Sequence, residues 1–265
     1  TQSIDSWLKA HATHQPNHPA VHFEGHTWTY RAFSDWVEQV AVALQHSLGL
    51  KRGDRVAYYG KNCDTEVALF FACARLGLII VPLNWRLVPA ELNYILGDSG
   101  AKVLFHDDNF LDQVPAALVG LATLAVNTSD RLDALIDKSQ GLAVATDADL
   151  SDPMFIVYTS GTTGRPKGAV LTQESILWNA IISVHAHDFT PADHILNMLP
   201  LFHVGGINIQ MMPCFFIGGT MTLHPAFDAD ETIRALEYQG ITTTVCVPTV
   251  MKALMFHPDW GDLKL

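Results

Sequence analysis

Short apolar runs alternate with amphipathic ones along the first hundred residues. Ala20–Phe23 and His26–Thr29 read as two short strands about a turn at Gly25. From Tyr30 the period changes. Phe33, Trp36, Val37, Val40, Ala41, Leu44 and Leu48 recur at helical spacing and predict an amphipathic helix over Tyr30–Leu48, ended by Gly49. Arg55–Tyr59 reads as a buried strand, Asp64–Leu76 as a helix closed by Gly77, and Leu78–Pro82 as another buried strand. Pro89–Leu96 follows as a helix with proline in its first turn, then Ala101–His106 as a third strand. Strands alternating with helices across short turns imply right-handed βαβ units. The expected fold is α/β, in stacked βαβ subdomains whose mostly parallel sheets are covered by helices.

Residues 107–152 break the rhythm. They are richer in Asp, Ala and Thr and read as a surface excursion with one helix near Asp130–Asp137. From Pro153 the pattern resumes: Met154–Tyr158 and Ala169–Leu171 as strands, then a helix capped by Thr172 from Gln173 to about Val184. His194–Met198 and Thr220–Leu223 are expected strands. Asp228–Gln239 is an expected helix ending at Gly240, Thr242–Val247 a strand, and Pro248 opens a last helix. The chain divides approximately into halves, 1–152 and 153–265.

The run from Ile195 to Leu223 holds no Asp, Glu, Lys or Arg and exceeds the roughly 20 residues of a membrane span. Asn197, Pro200, His203, Asn208, Gln210, Pro213 and two glycine pairs would strand polar groups in lipid, so it reads as buried interior. The formal charge of −11 over 265 residues excludes a nucleic-acid partner gripped through clustered cations, yet leaves room for ATP, which needs one or two. Cys63, Cys73, Cys214 and Cys246 lie far apart with mostly apolar neighbours. They read as reduced core thiols of an intracellular, cytoplasmic protein rather than a disulfide pair. Thr1–Leu8 carries Asp5 and has no basic region leading into an apolar run, so no secretory signal is read there.

The candidate chemistry lies at Tyr158–Gly168, YTSGTTGRPKG. A phosphate-binding loop needs glycines so that backbone can approach the anion, neutral donors, and a cation. Gly161, Gly164 and Gly168 supply the first, Thr159, Ser160, Thr162 and Thr163 the second, and Lys167 the third, with Pro166 stiffening the approach. A charge-assisted bond from Lys167 to a phosphate contributes about 1.5–3 kcal/mol. The spacing is not that of an ordinary P-loop NTPase, because Gly168 stands where the magnesium-binding hydroxyl would follow the lysine.

Ile156–Lys167, IVYTSGTTGRPK, resembles the signature of the AMP-binding, adenylate-forming enzymes, which include acyl- and aryl-CoA synthetases. Ala74–Leu87, ARLGLIIVPLNWRL, and Leu199–Gly206, LPLFHVGG, are similar to two further segments of that family, in order and spacing. Their wording favours acyl- or aryl-CoA synthetases over peptide-synthetase domains. The resemblance implies a carboxylate that attacks the α-phosphorus of Mg-ATP, then coenzyme A displacing AMP to give a thioester. Carried over, Thr159–Gly164 and Lys167 would hold the β- and γ-phosphates, and Thr159 would also reach magnesium. His203 would border the acyl site and orient the carboxylate, with Gly205 and Gly206 leaving room beside it. The expected acid is a medium- or long-chain fatty acid, with an aryl acid as the alternative. Family members often pair, so a homodimer is a further implication.

Three other features have blander readings. Asn84, Trp85 and Arg86 are expected to do structural work at a turn. His14, His18, His22 and His26 recur every four residues, but Pro16 and Pro19 break a shared helix, which favours a solvated loop over a metal site. His185-x-His187 could align on a strand, yet nothing completes a metal site. The resemblance also implies segments absent here: a glutamate for magnesium, an aspartate for the ribose, and a mobile carboxy-terminal domain with an adenylation lysine. The expectation is therefore an incomplete amino-terminal adenylation domain over 1–265, inactive by itself. The competing reading is a natural non-catalytic module that binds nucleotide or acyl groups.

Overall fold

The computed structural model describes residues 3–128, 131–160 and 165–264. In chain order the strands are β1 (Pro19–Phe23), β2 (His26–Thr29), β3 (Arg55–Tyr59), β4 (Ile79–Leu83), β5 (Val103–His106) and β6 (Leu124–Asn127). They continue with β7 (Pro153–Thr159), β8 (Lys167–Thr172), β9 (His194–Asn197), β10 (Thr220–Leu223) and β11 (Thr243–Thr244). The helices are α1 (Ser6–His14), α2 (Tyr30–Val42), α3 (Asp64–Leu76), α4 (Pro89–Ser99), α5 (Val114–Ala117) and α6 (Arg131–Lys138). After them come α7 (Gln173–His187), α8 (Val204–Gly206), α9 (Met212–Ile217), α10 (Ala229–Tyr238) and α11 (Pro248–Met255).

Two sheets form. The first runs β6-β5-β3-β4-β7-β8 and is parallel except for the β7–β8 hairpin. The second runs β11-β9-β10-β1-β2 and is parallel except for the β1–β2 hairpin. The expected class is present, but residue 152 does not separate the sheets. β7 and β8 complete the first sheet, while β1 pairs with β10 across some two hundred residues and completes the second.

The layering follows from the patterns. β3 and β4, RVAYY and IIVPL, are apolar at nearly every position because both faces of their sheet are covered. Val56 and Tyr58 join the large core toward α2 and α3; Ala57 and Tyr59 join a second core under α4, with Leu92, Ile95 and Phe110. The helix α3 is apolar all round and correspondingly buried all round. Its Phe70 packs edge-on to Phe155 of β7 at 5.0 Å, and its Phe71 packs on Phe215 of α9 at 4.9 Å. Each such pair contributes about 0.5–1.5 kcal/mol beyond its buried area. The Cys63 side chain caps α3 by accepting from the Glu66 amide at 3.3 Å, and Gly77 closes the helix at φ 64°.

Several expectations change. The helix from Tyr30 holds its α geometry to Val42 and then widens into a looser turn over Ala43–Ser47. The excursion after 107 contains the edge strand β6, hydrogen-bonded to β5, so it is partly a sheet element. Its expected helix is observed at Arg131–Lys138. The histidine-rich start is not a solvated loop. α1 ends at His14, the His18 ring stacks on Tyr30, and His22 lies in β1 beside His194 at 5.3 Å. Pro16 and Pro19 do end the helix, but strand pairing with β10 then captures the segment. His185 and His187 lie on α7, not on a strand. Among the described residues no group of His, Cys, Asp or Glu could hold a metal ion, and no helix is long and apolar enough to cross a membrane. Cys73 and Cys214 are buried, Cys63 and Cys246 half-buried, and all four are free; burial raises each thiol, Cys63 to about 12.

Candidate functional site

The candidate loop joins β7 to β8. Thr159 and Lys167 are direct cross-strand partners at its mouth, and both are exposed, as is Ser160 just beyond. Gly161, Thr162, Thr163 and Gly164 lie outside the described residues. The limb returning from the loop is anchored on α4. The Arg165 guanidinium stands 5.9 Å over the Tyr94 ring, and the Tyr94 hydroxyl donates to the Pro166 carbonyl at 3.4 Å. On the outgoing strand the Tyr158 hydroxyl donates to Asp98 Oδ2 at 2.6 Å; burial first, then this bond, holds the phenol above its ordinary range. Gly168 has a steric reason beyond loop flexibility. A Cβ there would sit 2.5 Å from Ile156 Cγ2 and 3.1 Å from the Tyr158 ring.

His203 is exposed, which sets aside a histidine bonded inside an apolar core. It caps α8: its Nδ1 accepts from the Gly205 amide at 3.0 Å. Gly206 is required by close approach, since a Cβ would fall 2.3 Å from the Pro200 carbonyl oxygen. At Gly205 the nearest neighbour of a Cβ is His203 Nδ1 at 3.3 Å, so a side chain there would press on the ring itself.

Two buried asparagines hold this segment. Asn197, at the end of β9, donates to the Gly206 carbonyl at 2.9 Å and accepts from the Leu199 amide at 3.2 Å. Asn62, in the turn after β3, donates through Nδ2 to the carbonyls of Leu199 and His224, at 3.0 and 3.1 Å. Its Oδ1 accepts from the Leu201 amide at 2.9 Å, and its own amide donates to the Pro225 carbonyl at 3.1 Å. The carboxyl-terminal ends of β3, β9 and β10 therefore meet at one side chain. Ligands of parallel α/β sheets bind at such carboxyl-terminal edges. Sequence reasoning passed over Asn62; its one local signal is a polar residue buried between a strand and an apolar helix.

Near this edge Arg86 stacks on Trp85 at 4.3 Å, while the Asn84 side chain accepts from the Arg86 amide at 3.0 Å, as a structural turn requires. An open cavity of about 860 Å³ lies beside the second sheet, reaching this edge at Lys61, His224 and Pro225 and lined further by His22, His26 and His194. Burial lowers His22, His194 and His224, His194 to about 4 with His22 adding to the effect.

Among the described residues, the hydroxyl expected to reach magnesium is that of Thr159, which is exposed. One hydroxyl suits an ion held mainly by phosphate oxygens and water. The described residues add no carboxylate cluster to it.

The fold, two mostly parallel sheets with the β7–β8 hairpin and a histidine-capped Gly-Gly turn following their strands, is that of the amino-terminal domains of adenylate-forming enzymes. The chain belongs to that family: the model of the AMP-binding enzymes matches residues 8–264. It is 40% identical to an indoleacetate–CoA ligase of Aromatoleum aromaticum, over 99% of this chain and 53% of that protein. It is 38% identical to a feruloyl-CoA synthase of Amycolatopsis, over 100% of this chain and 52% of that protein. The fold superposes on the inhibitor-bound N-terminal domain of FACL13 from Mycobacterium tuberculosis with a TM-score of 0.91 and 29% identity, covering 100% of this chain and 67% of that one. The chain spans about half the length of the curated relatives it matches.

Proposed function

We propose that the complete protein is an ATP-dependent carboxylate–CoA ligase, and that its acid carries an aromatic ring. The observation that carries the reaction class is the Thr159–Lys167 pair at the mouth of the hairpin, on a chain whose residues 8–264 match the AMP-binding enzymes. In the first step a carboxylate oxygen bonds to the α-phosphorus of ATP as the bond to the bridging oxygen breaks, releasing pyrophosphate. In the second the thiol sulfur of coenzyme A bonds to the acyl carbon and AMP leaves. A carboxylate is already ionised at neutral pH, so the first step needs no general base. Its obstacle is bringing one anion to another, which charge neutralisation and alignment overcome.

In this reading Thr159, Ser160, Gly161, Thr162, Thr163, Gly164 and Lys167 hold the β- and γ-phosphates and the departing pyrophosphate. His203 orients the carboxylate, and Gly205 and Gly206 leave room for the acyl group. The aromatic preference rests on the two relatives above, whose names specify indoleacetate and ferulate. It displaces the fatty acid expected from the neutral stretch Ile195–Leu223, whose residues core packing explains equally well: Ile195, Met211, Met212, Phe215 and Met221 are fully buried.

The test is acid-dependent exchange of labelled pyrophosphate into ATP by the complete gene product. Arylacetic and phenylpropenoic acids are compared with medium- and long-chain fatty acids. Exchange driven best by an aryl acid is expected. Best exchange with a fatty acid would overturn the aromatic preference, and no exchange with any acid would overturn the ligase reading.

A further inference from the structure

We infer that Asn62 is a positioning residue, setting where His203 stands relative to the phosphate loop. The inference rests on the ligase reading above. His203 lies on a segment, Leu199–His203, that belongs to no strand or helix. Such a segment takes its position from whatever satisfies its backbone groups. Asn197 ties it to its own sheet, through the Leu199 amide and the Gly206 carbonyl. Asn62 ties it to the other sheet, through the Leu199 carbonyl and the Leu201 amide.

That second tie matters because of where Asn62 comes from. It follows β3, which is joined through β4 to β7, the strand that ends at Thr159. The phosphate loop and Asn62 thus ride on one sheet, while His203 follows a strand of the other. The same amide also donates to the His224 carbonyl, so the loop after β10 is held in common. Asn62 is 4% exposed, and its carboxamide uses both its donor and its acceptor side on these segments. A side chain that only donates or only accepts cannot replace it. Truncation would leave Leu199 and His224 carbonyls and the Leu201 amide without this partner, and the His203 segment would be free to shift while the β7–β8 hairpin stayed in place.

The test is steady-state pyrophosphate exchange in the complete gene product. Acid and ATP are varied in turn for Asn62→Ala, His203→Ala and the double variant. Asn62→Ala is expected to lower kcat/KM for the acid about 10- to 100-fold, the scale of an approximately 1 Å misplacement. KM for ATP is expected to stay within about twofold, because the interactions lost are on the acid side. The double variant should be no worse than the poorer single variant, since Asn62 acts through the group that His203→Ala removes. Asn62→Ser keeps one O–H donor and should give an intermediate loss. If the alanine variant is not recovered folded, the serine variant takes its place in the cycle.

A merely structural role would lower the amount of active enzyme and move neither KM. Losses that multiply in the double variant, or an ATP KM that rises in step with that of the acid, would overturn the inference while leaving the ligase reading intact. An acid KM unchanged by His203→Ala would remove the role of His203, and this inference with it.

Discussion

Lys167 and Gly206 act by opposite means. Lys167 brings charge to the loop mouth, so Lys167→Ala should lower kcat/KM for ATP in exchange by about 10- to 100-fold, the equivalent of one charge-assisted bond. Its fold should survive, since the side chain is exposed at an edge strand; an unchanged ATP dependence would refute the role. Gly206 brings only the absence of a side chain. Gly206→Ala must push the Pro200 carbonyl aside and should cost about 1–3 kcal/mol in denaturant unfolding, as overpacked sites do. The hydroxyls, glycines and lysine of the loop were legible in the sequence because their chemistry is local and contiguous. Asn62 was not: its partners lie 137 to 163 positions away, at Leu199, Leu201, His224 and Pro225. Only the meeting of two sheets turns it from a polar turn residue into a clamp.

At the scale of elements, α3 and the β7–β8 hairpin organise the site. α3 was recognisable as a helix closed by its glycine; that it is buried on nearly every face was not read. What it packs against was not recognisable, because an apolar face names no partner. Phe70→Ala, removing the contact with β7, should cost about 3–5 kcal/mol of stability in chemical denaturation, as large aromatic truncations in cores do. A loss below about 1 kcal/mol would mean that the site relaxes around the void far more than interiors usually do. Two edge strands differ from expectation: β6 was not read at all, and the strand expected over Thr242–Val247 pairs only at Thr243–Thr244. Both are short, half-exposed stretches whose strand character comes from their neighbours in the sheet.

The whole molecule has a pH signature. Burial lowers His11, His22, His194 and His224 below the ordinary value of about 6.5, His194 to about 4. At these histidines the unfolded chain binds more protons than the folded one between those values, so their contribution to stability is full above about pH 6.5 and is lost as pH falls toward about 4. The buried Glu66 carboxyl, raised by burial, acts in the opposite direction. Thermal midpoints measured between pH 7 and pH 4.5 should carry the histidine contribution as a fall with acidification. In His194→Gln, which keeps an amide near Thr222, they should fall less steeply. An unaltered slope would show that His194 carries none of the effect.

The sequence by itself determined the alternation of elements and the family, and it supplied the loop residues on which the proposed phosphate contacts rest, because each depends on residue types at short spacing. The three-dimensional structure alone decided which strands share a sheet. A strand's pattern records that its faces are covered and not by what, so β1 could find β10, and β7 could find β4, only once the chain had closed on itself. It also decided where the two carboxyl-terminal edges meet, since backbone groups in a segment without regular structure accept whichever buried partner the rest of the chain brings to them.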